Sequence, residues 1–219
     1  HQFGHSTQRL HATPRSSVAT DTRPLCDTTP NSYDACRKLV GVEVMSNHVY
    51  IAMSLDGYIS APGNDLDWLS YVPIPDGDDL GFADIDAIVM GRLTFETLLS
   101  FGTGWTYPVP GIILSSTVTD APQDFADHVR FESGTPQEIV ETAKALGFQT
   151  LYIDGGKTIQ NFLRADLIDE MTISEIPIML GGGDRLCGEL DRRFDFELIS
   201  SETLLSQIVK QRFGRKREN

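Results

Sequence analysis

Short apolar runs, each closed by a glycine or a hydroxyl residue and most followed by a helix-compatible stretch, set the rhythm of this chain. His48 to Ser54 reads as a strand that runs into the Asp56-Gly57 turn. Ala87-Ile88-Val89-Met90 is a buried strand that pauses at Gly91 and continues as a helix through Leu99. Gly111 to Leu114 is another buried strand, ending in Ser115-Ser116-Thr117, and His128 to Phe131 is a short one. Thr135-Pro136-Gln137-Glu138 is a helix start with a capping box and proline at the first helical position. Ile139, Val140, Ala143 and Leu146 form its apolar stripe and Gly147 its stop. Thr150 to Asp154 is a strand that meets Gly155-Gly156-Lys157-Thr158, the opening of a helix carrying Ile159, Phe162 and Leu163. Strands alternating with helices predict parallel strands joined by right-handed crossovers.

The last third changes character. Residues 169–178 form a β-rich segment closed by Gly181-Gly182-Gly183, which reads as a turn or bulge since no helix follows it. Phe194 to Leu198 alternates as a half-buried strand and pairs with residues 203–213 in an antiparallel hairpin. Between the first two strands, Asn64 is expected to cap a single helical turn containing Trp68, a packing residue. Residues 78–84 read as a short helix with Leu80 and Phe82 inward. Residues 1–44 are rich in Ser, Thr, Pro, Arg and His without either period. They are expected to be a disordered or non-native leader, with the folded domain running from Met45 to residue 219.

Two strand–glycine–helix junctions bear on function. The first amides of a helix have no partner inside it and attract anions. At Gly91 the backbone is open to a ligand, and Arg92 adds a forked cation. A second such junction lies at residues 155–158, and two in one domain can share a diphosphate. Gly156-Lys157-Thr158 is not a nucleoside-triphosphatase loop, because the required earlier glycine is replaced by Leu151 within the strand.

Composition narrows the partners. The 219 residues carry a formal net charge of -13, which disfavours nucleic acid and anionic membranes. No apolar run is long enough to cross a bilayer. Cys26, Cys36 and Cys187 do not make a disulfide framework, so a cytoplasmic setting is the expectation. His1, His5 and His11 lie on no rigid element, and no metal site is expected.

The ordered set MSLDGYIS (53–60), IVMGRLTFE (88–96), IILSS (112–116), YIDGGKTIQNFL (152–163) and DEMTISEIPIMLGGG (169–183) resembles the dihydrofolate reductase superfamily. It is most similar to the branch of the riboflavin-biosynthesis reductase, the C-terminal half of a bifunctional deaminase–reductase, and its stand-alone relatives. The resemblance implies a three-layer α-β-α fold, with a mixed, mostly parallel central sheet and a C-terminal antiparallel hairpin. It also implies NADPH. Gly91, Arg92 and Thr94 would then hold the adenine-side phosphates and Leu114, Ser115 and Ser116 would flank the 2′-phosphate. Gly155, Gly156, Lys157 and Thr158 would meet the pyrophosphate, with Ala52 and the Asp56 loop near the nicotinamide. Arg92 and the hydroxyls suit a phosphate that NADH lacks. Tyr58 stands where these reductases usually carry a basic residue, and residues 1–44 lack the deaminase zinc signature.

The expected function is therefore an NADPH-dependent reductase acting on a C=N or C=O of a small pterin- or pyrimidine-like substrate. Asp56 and Asp67 are the candidate proton donors. The alternatives are reduction of 5-amino-6-(5-phosphoribosylamino)uracil in riboflavin biosynthesis, and a nucleotide- or flavin-binding protein without turnover. The relatives suggest a homodimer.

Overall fold

A computed structural model describes residues 45–71 and 82–217. The expected leader (1–44) and most of the expected helix at 78–84 lie outside the described residues. Strands β1 (Ser46–Ser54), β3 (Ala87–Gly91), β4 (Gly111–Leu114), β5 (Val129–Glu132), β6 (Thr150–Asp154), β7 (Glu170–Ile176), β9 (Asp195–Leu204) and β10 (Ile208–Lys216) form one sheet. Its order is β5-β4-β3-β6-β1-β7-β10-β9. The first six strands in that order are parallel, and the β9–β10 hairpin adds an antiparallel edge against β7. Three α-helices are described: α1 (Arg92–Ser100), α2 (Pro136–Ala145) and α3 (Gly156–Arg164).

The alternation of side chains along β3 explains the layers. Ala87 and Val89 point into a core with Ile139, Val140 and Ala143 of α2 and Ile159, Phe162 and Leu163 of α3. Ile88 and Met90 point the other way, onto Phe95 of α1. Helix α1 thus covers one face of the sheet, and α2 and α3 the other. The chain steps towards β4 after β3 but towards β7 after β6. These neighbouring strands therefore send their helices to opposite faces, and a crevice opens at their carboxyl ends.

The capping box forms as expected. The Glu138 carboxylate accepts from the Thr135 amide at 2.7 Å, and Thr135 Oγ1 accepts from the Glu138 amide at 3.3 Å. Gly147, at φ +89°, follows the helix end. Asn64 is not the cap of the next turn. It sits at φ +61° and its side chain donates to Thr97 Oγ1 at 3.2 Å. The 3-10 helix Asp67–Tyr71 is instead started by Asp65, whose Oδ1 accepts the Asp67 amide at 2.8 Å. Trp68 is buried against Ile176 and Ile208.

The triple glycine is a turn, as expected, and it leads to a second small sheet. Strand β2 (Tyr58–Ser60) pairs with β8 (Asp184–Arg185). A Cβ on Gly183, at φ +119°, would run into the Ser60 carbonyl, so only glycine lets β8 lie this close. Among the described residues no helix is long and apolar enough to cross a membrane.

Candidate functional site

A cleft of about 1140 Å³ lies over the carboxyl ends of β3, β6 and β1. The starts of α1 and α3 form its floor. Neither helix has a side-chain cap, whereas α2 is fully capped. The first amides of α1 and α3 thus lack the partner that Thr135 supplies to α2, and they lie along the cleft.

The two junctions are packed against each other. A Cβ on Gly91 would sit 3.2 Å from Thr158 Oγ1, and one on Gly155 would clash with Thr94 Oγ1. A Cβ on Gly156 would sit 2.9 Å from Ile59 Cδ1. Gly155 also holds φ +86°, which a side chain strains to adopt. Glycine at these positions lets the two turns close on each other, with the side chains of Thr94, Thr158 and Ile59 packed against them. The main-chain amides of the two turns are the donor chemistry that a dinucleotide diphosphate takes.

All eleven residues expected at the cofactor line this cleft. Gly91, Arg92 and Thr94 lie on one side of it, and Gly155, Gly156, Lys157 and Thr158 on the other. Leu114, Ser115 and Ser116 extend it past the end of β4, and Ala52 lines it from β1. Arg92 is also paired with Glu96, one helical turn on, at the surface. Ser115 also caps a turn, its Oγ accepting the Val118 amide at 2.8 Å.

The two expected proton donors do not line the cleft. Asp56 is a loop staple. Its Oδ1 accepts the Ser54 hydroxyl at 2.7 Å and the Leu180 amide at 3.1 Å, and its Oδ2 accepts the Gly181 amide at 2.7 Å. The Ser54 bond above all, with these amides, holds its pKa down at about 2, below the usual 3.8, so it stays ionised and acts as an acceptor. Asp67 is exposed at the start of the 3-10 helix, where only the flanking Leu66 and Leu69 line the cleft.

A different carboxylate lies in the cleft. Asp154 ends β6 immediately before Gly155. Burial raises its pKa to about 6, against the opposing effects of the Gly155 amide, which donates to Oδ1 at 2.8 Å, and of the Tyr152 hydroxyl. Tyr107 and Tyr152 line the cleft beside it, both pushed up by burial first and by the Asp154 charge second. Tyr50 completes the group. Its ring meets that of Tyr152 edge-on at 5.5 Å, and its carbonyl accepts the Tyr152 hydroxyl at 2.9 Å. The sequence signal for Asp154 is its place at a buried strand's carboxyl end, directly before two glycines. Nothing in the local pattern marks Tyr107, which comes from the loop after α1.

The model of the RibD C-terminal domain matches residues 48–210. The chain is 31% identical over 171 residues to YwjB of Bacillus subtilis, covering 76% of this chain and 91% of that one. It is similar to a crystal structure of a Shewanella sp. PV-4 protein named for riboflavin biosynthesis. That match has 47% identity and a TM-score of 0.74, and covers 79% of this chain and all of the other. A Thermotoga maritima diaminohydroxyphosphoribosylaminopyrimidine deaminase/5-amino-6-(5-phosphoribosylamino)uracil reductase shares the fold. Its TM-score is 0.65 at 13% identity, with 85% of this chain and 62% of that one covered.

Proposed function

The chain belongs to the RibD C-terminal domain family, and from that premise we propose that it is an NADPH-dependent reductase of a small heterocyclic substrate. One observation carries the reading: two uncapped helix starts, α1 and α3, abut across β3 and β6 and open into a single cleft. Two amide clusters at that spacing suit the linked phosphates of a dinucleotide. Arg92, beside the first cluster, and the hydroxyls of Ser115 and Ser116 support a choice of the 2′-phosphorylated dinucleotide.

The bound nicotinamide supplies the hydride, and this chain's residues do the rest. Gly91 to Thr94 and Gly155 to Thr158 fix the diphosphate. Ala52 and Ile51 line the cleft from β1, and Leu66 and Leu69 add apolar wall that excludes water from the reacting faces. With its pKa raised to about 6, Asp154 exchanges a proton close to neutral pH, which suits proton transfer to the reduced nitrogen or oxygen. This role replaces the one expected of Asp56 and Asp67.

Thermal-shift comparison of NADPH, NADH, ATP and FMN tests the reading. NADPH is expected to stabilise the protein most. Arg92→Ala is expected to weaken NADPH at least tenfold and NADH by less than twofold. Equal losses, or a larger shift with FMN than with NADPH, would refute the assignment. Loss of the NADPH absorbance band with candidate pterins and pyrimidines separates a reductase from a binding protein without turnover.

A further inference from the structure

The charges along the cleft say what kind of substrate it accepts, taking the reductase reading as the starting point. Among the described residues the cations lining it are Arg92 and Lys157, both at the helix starts that suit the cofactor's phosphates. Around Asp154 the lining is Tyr50, Tyr107 and Tyr152, and Asp184 and Glu96, the latter paired with Arg92, add two further carboxylates to the cleft. From residue 39 to residue 91 the chain contains no Lys or Arg at all. That span includes β1, the Asp56 loop, the 3-10 helix and the segment that leads into β3. Arg185 is engaged elsewhere. Its guanidinium lies 4.5 Å from the centre of the Tyr58 ring, donates to Tyr58 Oη at 3.1 Å, and is not part of the cleft lining.

A phosphate monoester brings close to two negative charges and only acceptor atoms. An ionised carboxylate is likewise acceptor-only, and tyrosine ring faces are negative. Away from the two helix starts, where among the described residues no cation or free amide cluster faces it, such a surface repels phosphate. It attracts a flat ring that offers N–H groups, most strongly where the ring carries positive charge. We infer that the substrate is an unphosphorylated planar heterocycle whose N–H edge donates to Asp154 while its ring packs against the tyrosines. The Thermotoga maritima protein is named for a phosphoribosyl substrate; the present cleft has the charge pattern for the dephosphorylated counterpart of such a molecule.

Titration calorimetry on the full chain with saturating NADP+ tests this. The probes are 5-amino-6-ribosylaminouracil, its 5′-phosphate, and 2,4-diaminopyrimidine. The unphosphorylated nucleoside or the diaminopyrimidine is expected to bind at least tenfold tighter than the phosphate. Asp154→Asn is expected to weaken that binding at least tenfold while changing NADP+ affinity less than twofold. A phosphorylated probe that binds as tightly as its nucleoside overturns the inference, and loss of that binding in Arg185→Ala would identify the phosphate's true partner. Silence from all three probes overturns it too. NADP+ binding in that case leaves the reductase reading standing, whereas failure of NADP+ to bind removes the reading itself.

Discussion

Asp154→Asn should make the protein more stable and a poorer enzyme, and the size of the gain follows from the site. The carboxyl titrates at about 6 in the folded protein, chiefly because it is buried, against 3.8 for an ordinary aspartate. Between those values the folded chain keeps a proton that the unfolded chain has lost. The aspartate therefore costs no stability below about pH 4; the cost grows as pH rises to about 6 and is complete above it. A shift of this size corresponds to about 3 kcal/mol. Asparagine retains an oxygen for the Gly155 amide that now donates at 2.8 Å, but it carries no charge. The variant should gain up to about 3 kcal/mol at pH 7.5, a rise in Tm of roughly 6–12 °C for a domain of this size. Thermal melts at pH 4.5, 6 and 7.5 measure it, and the gain should shrink steadily towards the acid end. Turnover should fall at every pH, since the amide holds no transferable proton. A gain of equal size at all three pH values, or a loss at pH 7.5, would refute the claim that burial of this charge is the cause.

Gly155→Ala should destabilise the protein by about 1–3 kcal/mol, because it combines φ +86° with a clash against Thr94. Adding Thr94→Ala should recover part of that loss in chemical denaturation, the clash but not the backbone strain; no recovery would place the whole cost in φ. Asp56→Ala should speed hydrogen exchange at the Leu180 and Gly181 amides while leaving the α2 amides unchanged. Because the Asp56 carboxyl is held at about 2, its stabilising effect is present above about pH 4 and is lost as pH falls towards 2.

What the sequence discloses here depends on how local the cause is. The start of α2 is readable because its signals, Thr135, Pro136 and Glu138, satisfy one another within four residues. The junctions at Gly91 and Gly155 are readable as apolar runs that stop at glycine, and the eleven residues expected at the cofactor share one cleft. That β3 and β6 are neighbours is not readable, since the pairing joins Ala87 to Leu151 across 64 positions of sequence that hold two other strands. That Asp56 lies outside the cleft is not readable for the same reason. Asp56 carries a turn signal and looks available, but its partners at Leu180 and Gly181 come from 124 and 125 residues away. Asp154 reads locally as a turn former, and it is burial in the folded chain that raises its pKa. Asn64 was misplaced over a shorter range: a left-handed residue and a cap share the same composition, and the neighbouring Asp65 took the capping bond.

The β3–β6 contact makes the cleft a product of both halves of the chain. A break introduced in the exposed stretch after β4, near Thr117, would leave the first anion-binding turn on one fragment and the second on the other. On the reductase reading, neither piece alone would hold the dinucleotide. Together they would reassemble along that strand pair, and a ligand spanning it would act as a molecular clasp whose concentration sets how much whole protein exists.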